Sequence, residues 1–135
     1  MEGVLIRSEC LRCGLCCQET EMILLISDVR RLSSMGYRVS EFAVFDGRYY
    51  RLRNVDGHCY FYEPVRGVCK VYKYRPLGCR IYPIIWVEGL GPVVDSECPL
   101  ASELSTDELK LGIRMINEFL RKLRTEYSTF RVKTP

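Results

Sequence analysis

Four of the eight cysteines of this 135-residue chain fall within eight consecutive positions, at Cys10, Cys13, Cys16 and Cys17. Core packing gives no reason for thiols at this density, whereas metal coordination does. Two-residue gaps let successive thiolates curl around one centre, and a run of three can occupy three corners of a cluster. The spacing therefore predicts a metal centre, with buried unreactive cysteines or disulfides as the alternatives.

A remote cysteine followed by proline could complete such a cluster. Bacterial ferredoxins use a C-x2-C-x2-C run for one [4Fe–4S] cluster and complete another with a distant Cys-Pro pair. Cys98 precedes Pro99 in this chain and is the candidate for a fourth ligand. Structural zinc sites usually take their ligands as separated pairs, so the triple run favours an iron–sulfur cluster, with Zn²⁺ as the alternative cofactor.

The remaining cysteines suggest a second centre. Cys16 and Cys17 are neighbours whose side chains point in different directions, so they serve different centres or one of them is not a ligand. Cys17 together with Cys59, Cys69 and Cys79 would make a second four-thiolate set. All eight cysteines are therefore candidate metal ligands, although one cluster with several structural cysteines fits the count equally well.

Basic residues beside the cysteines could balance the charge of such a centre. Four thiolates around Zn²⁺ or a [4Fe–4S]²⁺ core carry a net charge of −2, and a buried dianion needs compensating donors. Arg75 and Arg80 lie near Cys79 in the sequence, and Arg12 and Lys70 adjoin other cysteines. We expect Arg75 and Arg80 to donate hydrogen bonds to sulfur and so to help bind the cofactor. The alternative for each is a solvated surface charge.

Other chemistry is weakly indicated. His58 adjoins Cys59 and could be a ligand or a proton carrier, but a lone histidine in a turn is more often only a turn residue. The sequence contains no phosphate-binding glycine loop, Ser/His/Asp set or His-Glu-x-x-His motif, so catalytic residues and enzymatic activity stay open. Segments 48–53 and 72–75 interleave bases with aromatic residues, yet a net charge of only +3 does not favour a nucleic-acid partner.

Taken together, these residues resemble the CxxCxxCC family of zinc- or iron-chelating domains, the YkgJ-type cysteine cluster proteins. The resemblance covers about residues 10–99, with two separated motifs in the same order. The matching segments are the cysteine run at 10–17, Ser-Asp-Val-Arg-Arg-Leu at 27–32, Gly-His-Cys at 57–59, Cys69, and the Arg-Pro-x-x-Cys-Arg-x-Tyr-Pro signature at 75–83.

The resemblance implies a metal centre, open between zinc and iron. Some members are labelled iron–sulfur oxidoreductases, and a related domain in flagellin lysine N-methylases implies a role in protein modification for some relatives. Nothing in this chain reads as a methyl-donor pocket, so that link is not carried over. The sequence predicts a protein that holds an iron–sulfur cluster, most simply [4Fe–4S], with a redox or accessory role in electron transfer or protein modification. The alternative is a zinc-stabilised, non-catalytic module that binds a protein or RNA partner.

Length and composition are those of an ordinary globular protein. The chain is 47% apolar and 27% charged, and its length suits one domain. Residues 1–9 lack a signal-peptide pattern, and the longest apolar run, residues 81–87, is too short for a membrane span. We expect a cytoplasmic protein with no membrane association, whose thiols stay reduced and so can bind metal.

The candidate ligands must be positioned by short strands, turns and helices. The apolar residues 22–26 predict a buried strand. Ser27 would then be the N-cap of a helix over residues 28–35, with Val29, Leu32 and Met35 on its inner face. Two hairpins are predicted farther along, one pairing residues 48–53 with 59–62 around an Asp56-Gly57 turn, the other pairing 84–88 with 92–95.

The C-terminal segment gives the clearest signal of secondary structure. Ser105 and Glu108 fit a capping box at the start of a helix. Apolar residues then recur at helical spacing, at Leu109, Ile113, Ile116, Leu120 and Leu123. This pattern predicts a helix over about residues 105–125, packed on the core and followed by a tail at 128–135.

The predicted fold class is α+β. We expect one small domain over residues 1–127, made of short antiparallel strands and loops around a cysteine-ligated metal centre. The cysteine-cluster core would cover residues 10–99, with the long C-terminal helix on the outside.

Overall fold

The computed structural model describes residues 17–130. The helices of this part are α1 (Ile26–Ser34), α2 (Val39–Phe42), α3 (Leu77–Ile81) and α4 (Thr106–Thr129), with 3-10 turns at Tyr72–Tyr74 and Ala101–Glu103. The strands are β1 (Ile23–Leu24), β2 (Ala43–Phe45), β3 (Tyr50–Leu52), β4 (Asn54–Val55), β5 (His58–Cys59), β6 (Tyr62–Glu63), β7 (Val68–Cys69), β8 (Ile84–Val87) and β9 (Gly91–Val94). Short antiparallel strands and a long C-terminal helix confirm the predicted α+β class.

A three-stranded antiparallel sheet has the strand order β1–β3–β2, with Leu24 opposite Tyr50. The prediction that residues 48–53 form a hairpin with 59–62 is wrong in its partner, because β3 pairs with β1 and β2 instead. The predicted Asp56-Gly57 turn is confirmed, but it joins the two-residue strands β4 and β5. Its two residues have φ angles of +54° and +83°, which is the left-handed pair that a type I′ turn requires.

Two further hairpins follow along the chain. Strands β8 and β9 pair antiparallel, which confirms the hairpin predicted around residues 84–95. Strands β6 and β7 also pair, and this hairpin was not predicted. The carboxylate of Glu63 closes its turn by accepting hydrogen bonds from the backbone N–H groups of Val65 (3.2 Å) and Arg66 (2.6 Å). Two-residue strands are too short to give an alternating pattern in the sequence.

Helix α1 begins at Ile26, so the prediction of Ser27 as its N-cap is wrong. The carboxylate of Asp28 instead turns back and accepts a hydrogen bond from the backbone N–H of Leu25 (3.0 Å). The hydroxyl of Ser27 donates to Glu126 on α4 (3.1 Å). Val29 is buried as predicted, but Met35 lies beyond the last residue of the helix and is 41% exposed.

Helix α4 has the predicted capping box. The Ser105 hydroxyl accepts from the Glu108 N–H (3.1 Å), and the Glu108 carboxylate accepts from the Ser105 N–H (2.9 Å). The helix extends to Thr129, so the first residues of the predicted tail are helical. Within residues 17–130 no helix combines the length and the apolar composition needed to cross a bilayer.

The buried face of α4 differs from the predicted stripe at Ile113, and it includes Gly112 and Phe119, which were not predicted. Ile113 is 44% exposed, whereas its neighbour Gly112 is buried. A Cβ atom at Gly112 would collide with the Ile84 side chain of β8. The missing side chain therefore lets the helix approach the strand closely, and it is this glycine, not the isoleucine, that faces the core.

Two hydrophobic clusters form the core. The cysteine-side cluster consists of Leu24, Val29, Leu32, Phe42, Ala43, Leu52, Cys59, Phe61 and Val71. The helix-side cluster consists of Leu25, Leu77, Ile81, Ile84, Ile116, Phe119 and Leu123. Consecutive residues of the predicted buried strand, Leu24 and Leu25, belong to different clusters, so this segment lies between the two.

Candidate metal centre

Cysteines from four separate segments converge on the cysteine-side cluster. Cys59, on β5, is a buried member of it, and Cys17, Cys69 and Cys79 pack against it from the start of the described chain, from β7 and from α3. These four are the residues that the sequence grouped as a second thiolate set. Cys98 is also buried, in the turn after β9, where its N–H donates to the carbonyl of Asp95 (3.2 Å).

Cys17, the last cysteine of the N-terminal run and the first described residue, lies close to Cys59 in the backbone pairing. Gln18 forms an isolated antiparallel bridge with His58, and the Glu19 N–H donates to the Gly57 carbonyl (2.8 Å). Because the bridge is antiparallel, the residue before Gln18 lies alongside the residue after His58. Cys17 is thereby placed next to Cys59.

The described residues do not by themselves supply a complete ligand set. Among residues 17–130, no three His, Cys, Asp or Glu side chains are grouped closely enough to hold a metal ion. Cys10, Cys13 and Cys16, predicted as ligands, lie outside the described residues. The division of the eight cysteines into two sets of four stays a prediction.

Arg75 contacts the backbone around Cys79. Its Nε donates to the carbonyl of Tyr72 (2.9 Å), and its Nη1 donates to the carbonyl of Cys79 at the longer distance of 3.5 Å. The guanidinium also lies 4.0 Å from the centre of the Tyr72 ring, a cation–π contact. Arg75 thus stabilises the backbone of the segment that carries Cys79. The expected hydrogen bond from Arg75 to a sulfur atom stays a prediction.

Arg80 is the stronger candidate for a charge that faces the centre. Within the described chain, its Nε atom is buried and has no hydrogen-bond partner. Burial lowers the pKa of Arg80, and the positive charges of Arg31 and Arg75 lower it further, whereas Asp28 and Cys79 act in the opposite direction. Arg80 as a whole is only half-buried, so this single Nε–H is the donor that lacks an acceptor, and the Nε of Arg31 is in the same state.

Positively charged side chains lie near Cys79. Arg31 and Arg75 act electrostatically on Arg80, and the carboxylate of Asp28, which lies 3.2 Å from the Arg31 guanidinium, acts in the opposite sense. Four thiolates around Zn²⁺ or a [4Fe–4S]²⁺ core would carry a net charge of −2, and guanidinium groups have the sign that such a centre needs. The donor set therefore fits a thiolate-ligated centre.

The remaining candidates have local contacts. The Nδ1 atom of His58 lies 3.1 Å from the carbonyl of Cys59, and its imidazole packs edge-on against Tyr62, with the ring centres 5.3 Å apart. The ammonium of Lys70 lies over the ring of Tyr60. Neither arrangement adds a ligand to those that the sequence predicted.

The sequence reasoning missed Asp28 and Arg31 as parts of this region. Asp28 is 1% exposed, and its carboxylate accepts hydrogen bonds from the backbone N–H groups of Leu25 and Leu77. The signal was present, since Asp28 lies four residues before the buried Leu32, on the apolar face of α1. A carboxylate in that position must have buried partners.

Cysteines in and against one hydrophobic cluster, with arginine side chains close to Cys79, fit a protein that binds metal through thiolates. Residues 9–106 match the model of the CxxCxxCC family, described as "Putative zinc- or iron-chelating domain". The match covers most of the chain, and the protein belongs to this family. The resemblance read from the sequence is confirmed, and metal binding is supported.

One curated relative gives no further detail on function. The chain is 33% identical over 86 residues to the uncharacterized protein MJ0661 of Methanocaldococcus jannaschii. The alignment covers 58% of this chain and 45% of the relative, so the chain spans less than half the length of the relative it matches. No solved structure matches the chain significantly.

Proposed function

We propose that this protein holds an iron–sulfur cluster, most simply [4Fe–4S], through cysteine thiolates and acts as a redox or accessory protein in electron transfer or protein modification. The family supports chelation of zinc or iron. The triple cysteine run at residues 10–16 favours the cluster over a single zinc ion, because its spacing matches that of ferredoxins. A bound cluster would supply one-electron transfer.

The position of Cys17, Cys59, Cys69 and Cys79 in or against one hydrophobic cluster supports this proposal. These residues are separated by ten or more positions in the sequence, and each comes from a different element or segment. Small apolar side chains would also lie in such a cluster. The spacing of the cysteine run and the family match therefore carry the choice of metal ligation. We propose all eight cysteines as candidate ligands, with Cys10, Cys13, Cys16 and Cys98 as the other set.

Arg80, and to a lesser degree Arg75, would tune such a centre. The unused Nε donor of Arg80 lies in the segment that carries Cys79. Hydrogen bonds and positive charge near the sulfur atoms stabilise the more negative, reduced state of a cluster, and so raise its reduction potential. Arg75 would contribute mainly by holding the backbone of Cys79.

The first test is the metal and sulfide content of protein purified without oxygen. We expect a brown protein containing iron and acid-labile sulfide, with thiolate-to-iron charge-transfer absorption that bleaches on reduction with dithionite. A colourless protein with stoichiometric zinc would overturn the cluster and leave the zinc-stabilised module. A protein with neither metal would overturn thiolate ligation altogether.

A pair of arginine variants tests the charge balance. Arg80→Met should lower the reduction potential of the bound cluster or reduce its occupancy. Arg30→Met is the matched control, because Arg30 is an exposed arginine on the same protein. Equal potentials and equal iron contents in the two variants would remove Arg80 from the site.

A further inference from the structure

Asp28 joins α1 to the segment that leads into Cys79. One carboxylate oxygen accepts from the Leu25 N–H (3.0 Å), and the other accepts from the Leu77 N–H (3.2 Å). Leu77 is the first residue of α3, the helix that carries Cys79 two residues later. A single buried side chain therefore holds the first turns of two helices that are about fifty residues apart in the sequence.

Arg31 completes this connection from the same helix. Its Nη2 atom donates to the Asp28 carboxylate (3.2 Å) and to the carbonyls of Tyr74 (3.1 Å) and Arg75 (3.0 Å). Together the two side chains bind the backbone at residues 74, 75 and 77. We call this set of contacts the Asp28–Arg31 clamp.

The segment that the clamp binds also packs on the residue before β1. A Cβ atom at Gly78, the residue before Cys79, would collide with the thioether sulfur of Met22. Met22 in turn packs against the cysteine-side cluster. The segment that carries Cys79 therefore contacts this side chain on one side and is bound by the clamp on the other.

We propose that Asp28 and Arg31 are positioning residues that set where the Cys79 thiol lies relative to the other candidate ligands. As a deepening of the proposed function, this inference rests on Cys79 being a ligand. Burying a carboxylate is costly even when it is paired, and an apolar side chain would often fill such a place at lower cost. Unlike an apolar side chain, the clamp makes directed hydrogen bonds to three backbone groups near Cys79, which are the carbonyls of Tyr74 and Arg75 and the N–H of Leu77.

Burial also acts on the ionisation of the clamp. Desolvation raises the pKa of Asp28, and the hydrogen bond from Leu25 and the charge of Arg31 oppose this increase. The raised pKa agrees with the 1% exposure of Asp28 within these contacts.

Substitutions in two matched pairs test the clamp. Asp28→Asn removes the charge at nearly constant shape, and Glu126→Gln is its control, because Glu126 also binds the start of α1, through Ser27, but does not contact residues 74–77. Arg31→Met is the milder test should Asp28→Asn fold poorly, because its side chain is 33% exposed. The exposed Arg30→Met is the control for Arg31→Met.

The first measurement uses reduced, metal-free protein. We follow the alkylation of Cys79 by iodoacetamide and the hydrogen exchange of the amides at 77–81, both by mass spectrometry. Asp28→Asn and Arg31→Met should accelerate both processes severalfold, because loss of the clamp makes local opening of this segment easier, while the two controls stay near the wild type. Rates that are equal in all five proteins would overturn the clamp.

The second measurement uses the metal-loaded protein, with release of iron or zinc to a chromogenic chelator as the signal. Asp28→Asn should accelerate release by about tenfold. In a Cys79→Ser background the same substitution should change the rate by less than about twofold, because interacting positions are not additive. Fully additive effects would show that Asp28 supports the fold without acting through Cys79. A wild type that binds no metal would end the proposed function, and the alkylation experiment would still decide whether the clamp exists.

Discussion

The cysteine-side and helix-side clusters are enclosed by different kinds of elements. The helix-side cluster packs α4, a helix of 24 residues, against α3 and the four-residue strands β8 and β9. The cysteine-side cluster is enclosed by α1, α2 and strands of only two or three residues. Two-stranded hairpins of that length are marginal in water. The cysteine side therefore has less regular backbone hydrogen bonding to maintain its shape.

Aromatic packing compensates for part of this difference. The ring of Phe61 packs edge-on against Tyr37 (5.0 Å between centres) and in a tilted arrangement against Phe42 (5.5 Å). Four cysteines lie in or against the same cluster. Four candidate ligands, Cys17, Cys59, Cys69 and Cys79, therefore lie in or against the region whose strands are shortest, which is where a cross-linking metal would add most to stability.

Removing metal should have the largest effect, and it should be confined to the cysteine side. A ligand present at about a thousand times its dissociation constant stabilises the folded state by about 4 kcal/mol. We expect thermal unfolding to move to lower temperature with chelator. Hydrogen exchange should rise in β4–β7 and change least in α4. Unchanged melting would contradict the prediction, and equal loss of protection in both regions would break the comparison.

Where the sequence succeeded in predicting the fold, the signal was local. The capping box at Ser105, the Asp56-Gly57 turn and the β8–β9 hairpin all depend on neighbouring residues. The partner of β3 could not be predicted, since strand pairing is decided by contacts with distant residues. The prediction that Ile113 faces the core was wrong because Gly112 takes that position. In the sequence, a glycine that allows close packing cannot be told from one that merely weakens a helix.

The candidate site divides in the same way. The cysteines are visible as residue types at recognisable spacing, so a thiolate centre could be predicted. The convergence of Cys17, Cys59, Cys69 and Cys79 required the fold. The burial of Asp28 could be inferred from its place on the apolar face of α1, but its partner could not, because the Leu77 N–H is a backbone group and leaves no mark in the sequence.

Replacing Tyr127 should have the next largest effect on stability, because its hydroxyl connects the helix-side cluster to the β1–β3 pair. The residue packs against the helix-side cluster, yet its hydroxyl donates to the Leu24 carbonyl (2.6 Å) and accepts from the Tyr50 N–H (3.0 Å), both in the β1–β3 pair. Tyr127→Phe leaves both backbone groups without this partner and should cost about 2 kcal/mol in urea unfolding. Tyr74→Phe, at a residue 52% exposed, is the control and should cost little.

Alkaline pH provides a second signature of Tyr127. Burial is the main cause that raises its pKa from 10.0 to about 12. A group whose folded pKa is raised contributes its full stability below the unfolded value, and that contribution is lost as pH rises from about 10 through about 12. The difference in stability between wild type and Tyr127→Phe should therefore narrow over this interval. A constant difference would show that the hydroxyl does not titrate as the buried contacts require.

Gly112→Ala should have a smaller effect, confined to the helix side. In an exposed helix this substitution stabilises by about 1 kcal/mol, but here the new methyl group would collide with Ile84. Overpacking typically costs about 1–3 kcal/mol, so we expect a net destabilisation of about 1 kcal/mol in urea unfolding. Metal content should not change.

A double variant separates collision from helix propensity. Ile84→Val removes the methyl group that the new side chain would meet, at a cost of about 1 kcal/mol by itself. Combined with Gly112→Ala, it should restore part of the lost stability, so that the two changes together cost less than their sum. Strict additivity would mean that Gly112 is not needed for the close approach of α4 and β8.

Replacing Asp46 should have the smallest effect on stability. This residue lies in an exposed turn between β2 and β3 of the three-stranded sheet. Its carboxylate accepts from the N–H groups of Arg48 (2.8 Å) and Tyr49 (2.7 Å) and from the Arg51 guanidinium (2.6 Å). The Tyr49 hydrogen bond is the largest cause that lowers the pKa of Asp46 from 3.8 to about 2. A lowered folded pKa gives stability that is present above the unfolded value and is lost as pH falls toward about 2.

The advantage of wild type over Asp46→Asn should therefore be constant near neutral pH and disappear between about pH 4 and pH 2, as measured by urea unfolding across that range. Asp56→Asn is the control, because asparagine suits the left-handed position of the β4–β5 turn. If Asp46→Asn destabilised the protein as much as metal removal does, surface turn contacts would hold the cysteine side together. The cysteine side would then not depend on metal for its stability, and it would not differ in this respect from the helix side.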